Sequence, residues 1–156
     1  VLKETRNATS KLGIKKENLV FLNFPIRRFN EKRQEILDEL IKLKKKLNPD
    51  LVFCHSSFDV HQDHKVIYEE TLRAFKDCSI LGYASHWNQL LGQNNRIFAP
   101  VSEEAFRIKI ESLKEYKSQD SRGFFSEEVH RSIMSYHRFQ IKEKYAECFE
   151  CIRLIL

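Results

Sequence analysis

The chain has 156 residues, 42% of them hydrophobic and 31% charged, with a formal net charge of +5. That length fits one domain, residues 1–156, with room for a core, and the balance excludes disordered and fibrous classes. No apolar run approaches the ~20 residues that span a bilayer, and the first residues lack the order of a signal peptide. A cytoplasmic location is therefore expected, although Val1 is not a methionine.

The basic excess does not read as a nucleic-acid surface. Lys42, Lys44, Lys45 and Lys46 close a segment whose apolar residues Ile36, Leu37, Leu40, Ile41, Leu43 and Leu47 recur at helical spacing. Cations in a last helical turn complement the helix dipole, whereas single-strand binding calls for a basic groove with interleaved aromatics. Of Cys54, Cys78, Cys148 and Cys151, only the last two form C-x-x-C. A structural zinc site needs a second pair at matching spacing.

In chain order, Leu2 to Leu12 are good helix formers, followed by Gly13 where a C-terminal cap sits. Leu19 to Leu22 is a short apolar run that predicts a buried strand. An amphipathic helix follows from about Asn30 to Leu47, stopped by Asn48 and Pro49. Leu51 to Cys54 predicts a strand that lies inside the sheet, and a helix runs from near Gln62 to Phe75. Strands are expected at Ser79 to Tyr83 and Arg96 to Pro100, joined by a polar loop that carries Trp87. Helices at Ser102 to Tyr116 and Ser126 to Gln140 precede a final apolar run, Tyr145 to Leu156. The alternation predicts βαβ units, a mainly parallel sheet covered by helices in three layers, and ligands at the carboxyl ends of the strands.

Chemistry concentrates in His55, Asp59, His61, Asp63 and His64, in the loop after the Leu51 strand and the first turn of the next helix. Asp59 is placed to cap that helix, with Gln62 completing a capping-box-like pair. His61 and His64 stand i,i+3, on one face, and a helix N-terminus favours the neutral imidazole that binds metal. By itself H-Q-D-H also fits ordinary capping and surface residues. It lacks the Glu of the H-E-x-x-H zinc proteases, and a catalytic zinc needs three protein ligands with one position open.

Several segments in the same order resemble one family. Pro49 to His55 followed by Asp59, His61, Asp63 and His64 resembles the second signature of the PIG-L/LmbE zinc-dependent de-N-acetylases, where an apolar strand runs into D-x-H-x-D-H. Glu4, Ala8, Leu12 and Gly13 look like that family's helix ending in Leu-Gly. Lys114, Tyr116, Ser118 and Gln119 are similar to its K-x-Y-x-S-Q segment, and Tyr145, Ala146, Glu147 and Phe149 to its closing Y-A-E-x-F. The family's A-H-P-D-D motif, which supplies two further zinc ligands and a general base, is absent, and Phe139 stands where many relatives have glycine.

The resemblance implies a Rossmann-like fold lacking an N-terminal strand-loop-helix unit, and a Zn2+-dependent hydrolase that removes an acetyl group from an amino sugar or glycolipid. It makes His64 a zinc ligand, His61 the residue held near the scissile carbonyl, and Asp63 the residue that orients His61. Asp59, Trp87, Gln119 and Arg122 are assigned to substrate. Without the first motif the chain is expected to bind zinc weakly. The other readings are an inactive homologue serving as a scaffold and, behind it, a nucleic-acid-binding module. Oligomeric state is open, a homo-oligomer included.

Overall fold

A computed structural model describes residues 1–89, 96–123 and 125–156, without the side chains of Ser121 and Arg122. The elements are α1 (Leu2–Lys11), α2 (Arg33–Leu47), β1 (Leu51–His55), α3 (Gln62–Ala74), β2 (Ser79–Tyr83), β3 (Arg96–Val101), α4 (Glu103–Leu113), α5 (Glu127–Arg138) and β4 (Tyr145–Arg153). The strands form one open sheet in the order β1-β2-β4-β3. Among the described residues, no helix is long and apolar enough to cross a membrane.

The α/β class is as expected, and three details differ. β1 and β2 pair in parallel, from Leu51 opposite Ser79 to His55 opposite Tyr83, but β4 runs antiparallel to β2, with Tyr83 opposite Phe149. An apolar run carries no signal of strand direction, so its sequence could not settle this. β1 ends the strand order and is not internal; Leu51 and Phe53 are exposed on it. The strand expected at Leu19–Leu22 does not form. A 3-10 turn spans Lys16–Asn18, and the residues after it are irregular. Val20 is 53% exposed, and without a neighbouring strand to pair with, the run leaves its backbone to turns and water.

The chain divides into two compact units. The first comprises Val1–Leu22 and Phe98–Glu147. Its core is Phe106, Ile110, Met134 and Tyr145, with Val101 and Leu113 packed against it. Phe106 and Tyr145 stack at 4.6 Å, and the Arg131 guanidinium lies 4.6 Å over the Phe106 ring. Helix α1 ends at Gly13, whose φ of +76° places it in the left-handed region a helix C-terminus uses. Ser112 Oγ donates to the Ala8 carbonyl at 2.9 Å. Glu4 accepts from the Ser118 N–H at 2.8 Å and its hydroxyl at 2.7 Å. Those bonds hold the Glu4 carboxyl below its ordinary pKa, the backbone N–H most strongly. Two motif residues of the sequence thus meet as a structural tie.

The second unit comprises Asn23–Ile97 and Cys148–Leu156. Leu37, Cys54, Ala74, Phe75, Cys78 and Ile80 form its core. Helix α2 ends on Asn48 in the left-handed region, φ 42°. Helices α2 and α3 are tied by Glu70, fully buried, which accepts from Arg33 Nε at 2.7 Å and Arg73 Nη1 at 2.6 Å. A buried carboxylate is tolerated only when paired in this way. At the centre of β2, a Cβ on Gly82 would stand 3.0 Å from Ser56 Cα, Glu150 Oε2 and Ile152 Cδ1. Only glycine lets β1's trailing turn and β4 close against β2.

These contacts set the outcome of three substitutions, each read by urea denaturation. Arg33→Ala leaves Glu70 buried with Arg73 alone and should cost at most about 3 kcal/mol, the low end for breaking a buried pair. Glu70→Met should be near neutral, because an apolar side chain of similar volume removes the buried charge. Gly82→Ala should destabilise by about 1–3 kcal/mol through overpacking, since one of the atoms it meets is backbone that cannot turn aside.

Candidate functional site

The β1–α3–β2 crossover places the turn after His55 at the carboxyl edge of the parallel pair, where open α/β sheets present ligand sites. Two carboxylates shape that turn. Glu150, on β4, accepts from Ser56 Oγ at 2.8 Å, from the Ser57 N–H at 2.8 Å and from the Ser57 hydroxyl. Asp59, its side chain fully buried, accepts from the His61 N–H through Oδ1 at 2.9 Å and meets His64 Nδ1 through Oδ2 at 2.8 Å. Because an ionised carboxylate only accepts, the second contact makes Nδ1 the protonated nitrogen of His64 and leaves Nε2 with its lone pair.

The helix cap differs from the expectation. His61, not Asp59, is the N-cap of α3, and its Nδ1 accepts from the Asp63 N–H at 3.1 Å. Asp59 stands two residues ahead and forms a side-chain turn onto the His61 N–H, a role suited to its short carboxylate. Gln62 Nε2 donates to the Arg27 carbonyl at 2.6 Å and does not complete a capping box. The Asp63 carboxylate accepts from the N–H groups of Arg27 at 2.6 Å and Phe29 at 3.4 Å. Asp63 therefore meets His61 through its main-chain N–H, while its carboxylate fastens residues 27–29 to the helix start.

His55, His61 and His64 are stacked. The His55 and His64 ring centroids are 3.8 Å apart with planes 6° from parallel, and His61 lies 4.3 Å from His64 at 30°. His55 Nε2 is 3.2 Å from the Tyr83 hydroxyl, while its Nδ1 is buried without a hydrogen-bond partner. Burial above all, then the neighbouring His64 and His61, pushes the His55 pKa down to about 4 against the pull of Asp59. Burial likewise pushes the Tyr83 phenol up to about 12. Among the described residues, the donor atoms of His55, Asp59 and His64 lie within 4.8 Å of one another, close enough for a metal ion by distance alone. His55 was read as part of the cluster but given no role; the signal that could have singled it out is its place as the last residue of an apolar strand.

The other expected site residues are scattered. Trp87 is 76% exposed, on a loop that reaches the site turn: the Val60 N–H donates to the Asn88 carbonyl at 2.8 Å, and Asp59 bridges to Gln89. Gln119, in the first unit, donates to Ser118 Oγ at 3.3 Å. The Arg122 side chain lies outside the described residues.

Residues 2–75 match the family described as PIG-L, GlcNAc-PI de-N-acetylase. The chain is similar to YaiS of Escherichia coli K12, named an uncharacterized deacetylase, at 31% identity over 123 residues. That similarity covers 74% of the chain and 64% of YaiS, so the chain spans less than two thirds of this relative's length. Among solved structures it resembles the zinc inhibited form of teicoplanin deacetylase Orf2, with a TM-score of 0.73 at 15% identity, covering 95% of the chain and 71% of that protein. It also resembles GalB, the 4-carboxy-2-hydroxymuconate hydratase of Pseudomonas putida KT2440, with a TM-score of 0.70 at 12% identity, covering 99% and 72%. At such identities the structures speak for the fold alone, and the motifs and the family match carry the rest: this chain is a relative of the PIG-L/LmbE de-N-acetylases.

Proposed function

We propose that this chain forms the part of a metal-dependent amide hydrolase that carries its second signature, and that the whole enzyme removes an acetyl group from an amino sugar or its conjugate. The observation that carries the reading is the paired setting of His64 and His61 at the carboxyl end of β1, each with one ring nitrogen engaged and the other left for chemistry. A fold shared with a hydratase does not separate amide hydrolysis from hydration; the de-N-acetylase family match favours the former.

The residues present fit a metal. Asp59 holds His64 Nδ1, which is the outer partner a metal-binding histidine uses, and Nε2 is then the donor. His55 Nδ1, buried without a hydrogen-bond partner and 3.9 Å from Asp59 Oδ2, has its pKa pushed down by burial, which favours the neutral imidazole. Zinc is the ion proposed, by the family resemblance. When bound, such an ion polarises a carbonyl and acidifies water.

The chain's own residues supply the rest. His61 accepts at Nδ1, so its neutral ring carries the proton on Nε2. That N–H is the donor for the developing oxyanion. Asp63 orients His61 through its N–H and steadies the helix start with its carboxylate. Trp87 is proposed to border the substrate, its exposed indole offering a flat apolar face to a sugar ring, while Asp59, buried and bonded to His61 and His64, stands behind them. Gln119 and Arg122 are carried as substrate contacts by the resemblance. A cytoplasmic setting and a single domain belong to the same proposal.

The chain by itself should bind zinc weakly and show little hydrolysis, because His64 is one ligand where a catalytic site uses three; stoichiometric zinc by elemental analysis would overturn this. With an A-H-P-D-D-bearing segment joined upstream, His64→Ala should abolish zinc retention and activity. In that form His61→Ala should keep its zinc and lose roughly 10²–10³-fold in kcat, as for one oxyanion donor. Metal analysis together with kcat on N-acetylglucosamine derivatives tests the pair, and the opposite assignment of metal loss would refute it.

A further inference from the structure

The donor atoms of His55, Asp59 and His64 lie within 4.8 Å of one another, yet the orientation of the rings separates their roles. An imidazole lone pair lies in the plane of its ring, so a bound metal lies close to that plane, about 2 Å from the nitrogen. The His55 and His64 planes are 6° from parallel with centroids 3.8 Å apart. An ion shared between them would stand off each plane by up to half of that separation, nearly the whole length of its bond. It would then sit over the face of each ring, where neither nitrogen has a lone pair to give.

Asp59 is also spoken for. Oδ1 accepts from the His61 N–H and Oδ2 from His64 Nδ1, the arrangement of an outer partner that orients a ligand. His55 is tied at its far side, Nε2 against the Tyr83 hydroxyl, and Tyr83 is the β2 residue paired with it across the ladder. His61 covers the other face of His64. The His64 ring is thus fixed in plane by the stack and in rotation by the carboxylate, and one direction, that of Nε2, remains.

We propose that His55 and Asp59 are positioning residues that brace His64, and that His64 alone of the three is a metal ligand. This rests on the reading of His64 as a ligand, but the brace itself is measurable without metal.

The test is 15N NMR of the histidine side chains of the chain, first metal-free and then titrated with zinc. In wild type and in His55→Phe, which keeps a flat ring but no nitrogen, His64 should hold the Nδ1-protonated tautomer. In Asp59→Asn and His55→Ala it should average between tautomers. Zinc should move the His64 Nε2 resonance and leave both His55 nitrogens in place. Zinc affinity should stay within about three-fold in His55→Phe and fall about 10–100-fold in Asp59→Asn, the range for an outer partner. A zinc-induced shift at His55 Nδ1 in the wild type, or loss of zinc by His55→Phe with its melting temperature unchanged, overturns the proposal. If the metal-free tautomers behave as stated and no histidine responds to zinc, the brace stands and the metal reading fails.

Discussion

The buried carboxylate of Asp59 is the constraint on which the site depends. Removing an ionised carboxylate from water is expensive unless its oxygens are hydrogen-bonded, and Asp59 meets that requirement with the His61 N–H and His64 Nδ1. The same two contacts fix where α3 starts and which nitrogen of His64 is free. Through its bridge to Gln89, the residue also draws the Trp87 loop beside the turn. Helix start and His64 tautomer therefore share one buried charge, while the main chain of the same residue joins the Trp87 loop.

Two further carboxylates extend the scheme. Glu150 receives both hydroxyls and one N–H of the Ser56–Ser57 turn, and Gly82 leaves the space in which that contact forms. Asp63 receives the N–H groups of Arg27 and Phe29. Arg27 adopts φ 66°, a left-handed conformation uncommon for a residue with a side chain. The Asp63 carboxylate and the Gln62 amide, which grip the Arg27 N–H and carbonyl, hold it there. Each carboxylate binds backbone, so the loop geometry follows from acids placed on regular elements.

Much of this was legible in sequence, and the limits have physical causes. Helices ended by Gly13 and Asn48 and the strands beginning at Leu51 and Ser79 announce themselves, because periodicity, caps and compact apolar runs are local signals. The direction of β4 and the edge position of β1 are pairing properties, which no local pattern encodes. Leu19–Leu22 shows the converse, a strand-like composition with no partner to pair. At the site, His61, Asp63 and His64 stand out through their spacing, whereas the part played by His55 depends on a ring stacked across a turn. Glu150 lies far along the chain from the serines it grips, so nothing local pointed to it.

The Glu150 contact with Ser56 joins residues 94 positions apart, and β4 reaches β2 across a shorter but still long interval, from Tyr83 to Phe149 at the near end. Loop closure over such a span costs entropy before any contact rewards it, and contacts of this kind form late. During synthesis the β1–α3–β2 crossover is complete while Glu150 has still to be added. At that stage the Ser56–Ser57 turn has only water for its hydroxyls. The half-made chain therefore carries the histidines before the turn that leads to them is fastened, and the geometry of that turn is delayed until the β4 carboxylate closes it.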